Sequence, residues 1–353
     1  MPRSRRAVLG SMCALLGSAG CITVRNSSES WEPDPDLLRW RHETEGRVSG
    51  SATLHEGILY IGSHDSYFRA IDGAEGDLVW KFETDSWIAS DSVIKDETLF
   101  FSSRDNHVYA VGTDGSQRWR FETDDNAFST PAVRSGSVYF GSTDDHVYSV
   151  RNESGEAEWR HGTGDGVVST PSVAGGIVYI GSRDGLMYAL EADTGDRVWT
   201  YSTGNDVSVD PAVQNDRVFF GSDDESLYAL NRHDGTLIWS YEVGTRINSS
   251  PTVCNDRVYF GNLAGTFYAI DADSGSLRWE SDVPNGTINC DPTVADGIVY
   301  VGDSHGHLHA FDANTGEHYW KYETGNAVHS TPIVTDDTIY FGSNDGHVYA
   351  IER

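Results

Sequence analysis

The chain has 353 residues with 25 basic and 54 acidic side chains, a formal net charge of −29, 38% hydrophobic residues and 11% aromatic ones. It is long enough for a large core and too aromatic for a disordered chain, and a surface this negative repels phosphate backbones, which argues against nucleic acid as a partner. Only Lys81, Lys95 and Lys321 are lysines; so acidic a surface stripped of Lys suits concentrated salt, where the Debye length falls to about 3 Å at 1 M, and the composition reads as a halophile's.

The first 21 residues start basic with Arg5 and Arg6, run apolar from Ala7 to Leu16 and end in small residues at Cys21. Such a segment is an export signal, too short to span a membrane as a helix. Ser4-Arg5-Arg6-Ala7-Val8-Leu9 resembles the twin-arginine signal of proteins exported already folded. Ser18-Ala19-Gly20-Cys21 resembles a lipobox with Ser18 in the place of the usual Leu, so Cys21 is the expected lipid attachment point. Residues 22–36, with Ser27, Ser28, Ser30, Pro33 and Pro35, have no apolar period and read as a flexible stalk.

From residue 37 onward the chain repeats. Trp40, Trp80, Trp119, Trp159, Trp199, Trp239, Trp279 and Trp320 are spaced by 39 to 41 residues, which marks eight units. A second ruler agrees: Gly-Ser follows an apolar residue at Ile61-Gly62-Ser63, Phe140-Gly141-Ser142, Ile180-Gly181-Ser182, Phe220-Gly221-Ser222 and Phe341-Gly342-Ser343, with variants at Ser102, Gly261 and Gly302. In residues 168–201, four short runs rich in Val, Ile and Tyr are separated by Gly-Gly, Arg-Asp-Gly and Asp-Thr-Gly, the pattern of a four-stranded antiparallel meander. One such sheet cannot bury both faces alone, so the spacing predicts an all-β, eight-bladed β-propeller over residues 37–353. Trp40 lies in a fourth-strand segment with no first three strands before it, and the last unit stops at Ile351 after its third strand. The N-terminal strand is therefore expected to complete the last blade and close the ring.

Cys254 and Cys290 fall near the end of one inner strand and the start of the next, a separation beyond the ~7 Å reach of a disulfide, so no bridge between them is expected.

Ala189-Leu190-Glu191-Ala192-Asp193-Thr194-Gly195-Asp196-Arg197-Val198-Trp199, repeated at Ala269 to Trp279 and Ala310 to Trp320, resembles the tryptophan-docking motif of the PQQ-like propeller repeat family, shared by quinoprotein dehydrogenases and BamB-like lipoproteins. The resemblance covers residues 40 to 353. It implies that each of the eight Trp residues docks on the Gly-bearing turn of a neighbouring blade, a structural role.

Positions that do not repeat are the ones free to serve a partner. Before the usual Pro that opens each blade stand Ser51, Ser90, Thr130, Thr170, Asp210, Ser250, Asp291 and Thr331. Two residues earlier stand Ser49, Ile88, Phe128, Val168, Ser208, Asn248, Asn289 and His329. First strands are innermost in a propeller, so both columns are expected at one mouth of the channel. Apolar Ile88, Phe128 and Val168, with the non-repeating Trp87, would then oppose a polar arc of Asp210, Asn248, Asn289, Asp291 and His329, as binding sites are lined; the alternative is that these side chains plug the channel. His305, His307 and His309 alternate like metal ligands, but His107, His146 and His347 share the column of His307, so packing or solvent exposure is the expectation and no metal is assigned.

The resemblance to BamB-like proteins implies a non-catalytic, monomeric scaffold for a protein partner at the cell surface, touching the membrane through its lipid alone. The quinoprotein alternative implies PQQ with calcium; against it, the chain has no adjacent Cys-Cys pair and no long insertions, although Asp210, Asp291 and Asn289 offer oxygen ligands. A solute-binding or sensory propeller is the third reading.

Overall fold

The computed structural model describes residues 37–283 and 286–353, so the export signal, Cys21 and the stalk lie outside the described residues. Among the described residues all regular structure is strand, in eight four-stranded antiparallel sheets, and no helix is long and apolar enough to cross a membrane. The blades run Thr53–Glu83, Ser92–Glu122, Ala132–Gly162, Ser172–Ser202, Ala212–Glu242, Thr252–Asp282, Thr293–Glu323 and Ile333–Glu352. First strands touch in turn around the axis from blade 1 to blade 8, which sets them innermost.

Blade 8 takes its outermost strand from the N-terminus. Leu38–Glu43 pairs antiparallel with His347–Glu352, bringing Trp40 opposite Ala350 and Glu43 opposite His347. Backbone bonds at both ends, Glu352 N–H to Leu37 O at 2.8 Å and Thr44 N–H to Gly346 O at 2.7 Å, extend the seam. The expected closure is therefore present.

Two features of the repeat have a packing cause. The second-strand glycines are sites of close approach: a Cβ on Gly141 would lie 2.2 Å from Val167 of the next blade, and one on Gly342 would lie 2.4 Å from Val48. Blade 2 has Ser102 there, and the matching position of blade 3 carries the smaller Ala127 in place of Val or Ile. The tryptophans form the second feature. In the outermost strand a β-bulge shifts the register beside each Trp, as between Ala189 and Leu190 opposite Trp199 and Arg197, and a bulge re-aims the side chain next to it. Trp159 then lies against Gly195, whose φ is +74°, and its indole N–H donates to Ala192 O at 2.8 Å. The same pairing joins Trp40 to Gly76, Trp80 to Gly115, Trp119 to Gly155, Trp199 to Gly235, Trp239 to Gly275 and Trp279 to Gly316. Trp320 faces the seam instead and packs with Leu37 and Ile351.

Cys290 is a free, buried thiol, so no disulfide joins it to Cys254. Its Sγ donates to Ser330 O at 3.2 Å, in the column where other blades carry Ser129, Ser169, Ser249 and Ser330.

Candidate functional site

The segment entering each first strand carries alternating side chains. One set is fully buried between blades: Val48, Ile88, Val167, Val207, Ile247, Ile288 and Val328, each at 0% exposure, with Ala127 at 1%. This corrects the expectation for Ile88. It does not face the channel but packs on Gly62 of blade 1. Blade 2 lies one residue out of the expected register because Ser92 stands where most blades have the marker Pro. Ser92 O accepts from Thr53 Oγ1 at 2.5 Å, as Pro292 O does from Thr252 Oγ1 at 2.6 Å. A slip of one residue on a strand turns every side chain to the opposite face. Ser90 is accordingly buried against Ser102, its Oγ accepting the Ser102 N–H at 2.9 Å, and the channel positions of blade 2 belong to Ala89 and Asp91.

The corrected inner ring reads Ser51, Asp91, Thr130, Thr170, Asp210, Ser250, Asp291 and Thr331. Its members hold hands around the axis. Asp91 Oδ1 accepts the Ser51 N–H at 2.5 Å, Asp210 Oδ1 the Thr170 N–H at 2.6 Å, and Asp291 Oδ1 the Ser250 N–H at 2.6 Å. Hydroxyls add three more links: Thr130 Oγ1 accepts from Asp91 N–H, Ser250 Oγ from Asp210 N–H, and Ser51 Oγ from Thr331 N–H across the seam. Burial raises the pKa of all three carboxyls, and for Asp210 and Asp291 the neighbouring aspartates push in the same direction. Desolvation and like charge both favour the protonated form, and the backbone N–H bonds only partly offset them.

This ring floors a cavity of about 220 Å³ whose wall includes Ser49, Ala89, Phe128, Val168, Asn289 and His329. Asn248 is exposed beside it, its Nδ2 3.4 Å from Asn289 Oδ1. His329 has its pKa lowered by burial and by Arg47. Trp87 stands outside the cavity at 48% exposure, stacked on His64 with ring centroids 5.0 Å apart. The Arg104 guanidinium lies over both the Trp87 ring at 5.5 Å and the Phe128 ring at 4.8 Å, and so links Trp87 to the cavity wall. A larger surface groove of about 410 Å³ runs past Phe121, Tyr148, Trp159 and Arg160 in blades 2 and 3.

Sequence reasoning missed Asp91 and Arg104. The signal for Asp91 was available, because counting forward from Trp80 instead of back from the missing Pro places it in the ring. His305 is exposed, whereas His307 and His309 converge on Asp303.

The family described as outer membrane protein assembly factor BamB matches residues 29–164 and 143–353. No curated protein matches the chain in sequence. Among solved structures, BamB from Moraxella catarrhalis superposes with a TM-score of 0.79 at 18% identity, over 90% of this chain and 99% of that one. The computationally designed Ika8 protein gives 0.80 at 17%, over 90% and 100%. The quinohemoprotein alcohol dehydrogenase ADHIIG from Pseudomonas putida HK5 gives 0.76 at 13%, over 89% of this chain and 76% of that one. At these identities the superpositions establish the shared propeller fold.

Proposed function

From a chain that belongs to the family of the outer membrane protein assembly factor BamB, we propose an exported, non-catalytic propeller, lipid-anchored through Cys21, that binds a protein partner with its funnel face. The observation that carries this reading is Trp87. Among the nine described tryptophans, eight occupy one repeated position in the outermost strands, and Trp87 alone is a non-repeating, half-exposed indole. Trp and Arg are the residues most enriched at binding hot spots, and the Trp87, Arg104 and Phe128 stack presents both beside a cavity. The Ser- and Pro-bearing sequence of residues 22–36 and the Lys-poor acidic composition support a tethered protein on the outer face of the membrane of a salt-loving cell.

The funnel residues do not fit PQQ. That cofactor is a tricarboxylate, whereas the cavity wall carries Asp91, Asp210 and Asp291 and neither Arg nor Lys. These aspartates, held toward the protonated form, give a tricarboxylate no cationic partner within a space of about 220 Å³ where screening is weak. A calcium ion would meet oxygen ligands there, but each aspartate already accepts a backbone N–H of the preceding blade.

Two experiments test the reading. A photo-crosslinking residue at position 87, compared with one at the exposed rim position 237, is expected to give a discrete protein adduct in the native membrane from position 87 only. A melt of the same protein in concentrated salt with PQQ and calcium, coupled to dye-linked alcohol oxidation, is expected to show neither a shift nor turnover. A cofactor-dependent rise with turnover would make it a compact quinoprotein.

A further inference from the structure

Blade 7 departs from the repeat at three positions that meet in space. In blades 2, 3, 4, 5 and 8 the turn between second and third strands carries an Asp whose carboxylate accepts a Tyr hydroxyl four residues on. The bonds are Asp105–Tyr109 at 2.8 Å, Asp144–Tyr148 at 2.8 Å, Asp184–Tyr188 at 2.6 Å, Asp224–Tyr228 at 2.7 Å and Asp345–Tyr349 at 2.7 Å. Two residues before that Asp stands Ser103, Ser142, Ser182, Ser222 or Ser343. In blade 7 the Ser has become Asp303, the Asp has become His305, and the Tyr has become His309.

The carboxylate thus sits deeper than its counterparts, and Asp303 is 1% exposed. Its Oδ1 accepts the backbone N–H groups of His305 and His307, at 2.9 and 2.8 Å. Its Oδ2 faces two imidazoles at once, His307 Nδ1 at 3.0 Å and His309 Nε2 at 3.1 Å. Blade 1 shows how else the fold pairs a carboxylate here, since Asp65 meets the guanidinium of Arg69 directly. In blade 7, among the described residues, no side chain with a permanent positive charge touches Asp303; Lys321 reaches only the far nitrogen of His307, at 3.1 Å.

We propose that Asp303, His307 and His309 bind a divalent transition-metal ion of the zinc class. The three ligand atoms lie within 4.8 Å of one another. Tetrahedral zinc with bonds of about 2.0–2.1 Å holds its ligand atoms about 3.3 Å apart. The two carboxylate-to-imidazole separations are already 3.0 and 3.1 Å, so a small rotation of the rings closes the set. Two imidazoles and one carboxylate select zinc, cobalt or nickel over calcium or magnesium, which take oxygen ligands. On one side His309 Nδ1 lies 3.0 Å from His318 Nε2: without a metal Nε2–H donates to Asp303 and Nδ1 accepts from His318, and a metal at Nε2 moves the ring proton to Nδ1, which His318 Nε2 can then accept. On the other side Lys321 competes. An ammonium only donates, so it holds His307 Nε2 as an acceptor and the ring proton on Nδ1; metal binding at Nδ1 requires this exposed Lys to swing away. Three protein ligands leave one position open to water or to a group from a partner.

The site also reaches the last blade, because Asp303 O accepts the Val328 N–H at 2.9 Å. A bound ion therefore braces the junction of blades 7 and 8.

The test uses the full chain, stripped with chelator and titrated with Co²⁺ and then Zn²⁺ in concentrated NaCl. One equivalent of Co²⁺ should give the intense visible bands of a four-coordinate ion, and Zn²⁺ should bleach them and raise the melting temperature. His309→Tyr restores the residue that six other blades carry at this position and so keeps the fold; it should abolish the bands. His318→Phe should weaken binding about 10- to 100-fold, and Lys321→Met should tighten it. Absence of a one-equivalent spectrum, or an equal spectrum from His309→Tyr, would overturn the site and leave the cluster a hydrogen-bonded substitute for the Asp–Tyr pair.

Discussion

Gly195 and Gly57 share a left-handed backbone, with φ of +74° and +82°, yet differ in what surrounds them. A Cβ on Gly195 would meet Trp159 Cε3 at 2.6 Å, whereas one on Gly57 meets nothing within 4 Å. Gly57→Ala should therefore cost only the conformational strain, about 1–2 kcal/mol, and Gly195→Ala that strain plus about 1–3 kcal/mol of overpacking; chemical denaturation of the two variants gives the comparison. The three funnel carboxyls make a pH prediction. A pKa raised on folding gives stability that is complete below the ordinary Asp value and is lost as pH climbs through the raised one. Asp210→Asn combined with Asp291→Asn keeps the oxygen that accepts each backbone N–H and removes the charge. The double variant should match the parent near pH 4 and exceed it by on the order of 1–3 kcal/mol near pH 8, read as a melting difference that widens with pH; a variant that unfolds would make the carboxylates structural. At this scale the sequence was a partial guide. Phe128, Val168, Asp210, Asn289, Asp291 and His329 do line one cavity, but Asp303 was hidden because it occupies a serine column, and the alternating histidines alone do not show that His307 and His309, and not His305, turn toward it.

Each blade exposes the free edge of its outermost strand, and these edges are guarded by charge. Leu38–Glu43 reads LRWRHE, Gln117–Glu122 QRWRFE and His318–Glu323 HYWKYE, with Arg, Lys and Glu where an apolar strand would invite another chain. The strand Leu38–Glu43 is different in kind, because removing it bares His347–Glu352, whose side chains are mostly buried. Deleting residues 37–46 should abolish the cooperative melt and promote association by size-exclusion chromatography. An unchanged transition in high salt would contradict the seam. Blade number and closure were legible because eight tryptophans and a row of glycines answer to contacts between neighbouring blades, which recur identically. Blade 2 was misread by one residue because Ser92 lacks the ring that marks a first strand, and a strand's side-chain period of two makes so small an error complete.

Across the whole molecule the charge of −29 acts against compactness wherever it is unscreened. Melting temperature should rise steeply from about 0.1 to 2 M KCl as the Debye length shrinks from about 10 Å to below 3 Å, and an equal concentration of sucrose should not reproduce the rise. A flat salt response would remove the halophile reading while leaving the fold untouched. The seam has one more consequence, in the time it takes to make the protein. The strand that seals the ring is among the first structure to leave the ribosome, and its partner, 304 residues from Glu43 to His347, is the last. At about 5–20 residues per second that interval is roughly 15–60 s, during which Leu38–Glu43 has no edge to join and the ring no means of shutting. Closure thus waits for the third strand of the eighth blade, and every chain cut short of His347–Glu352 is an open ring.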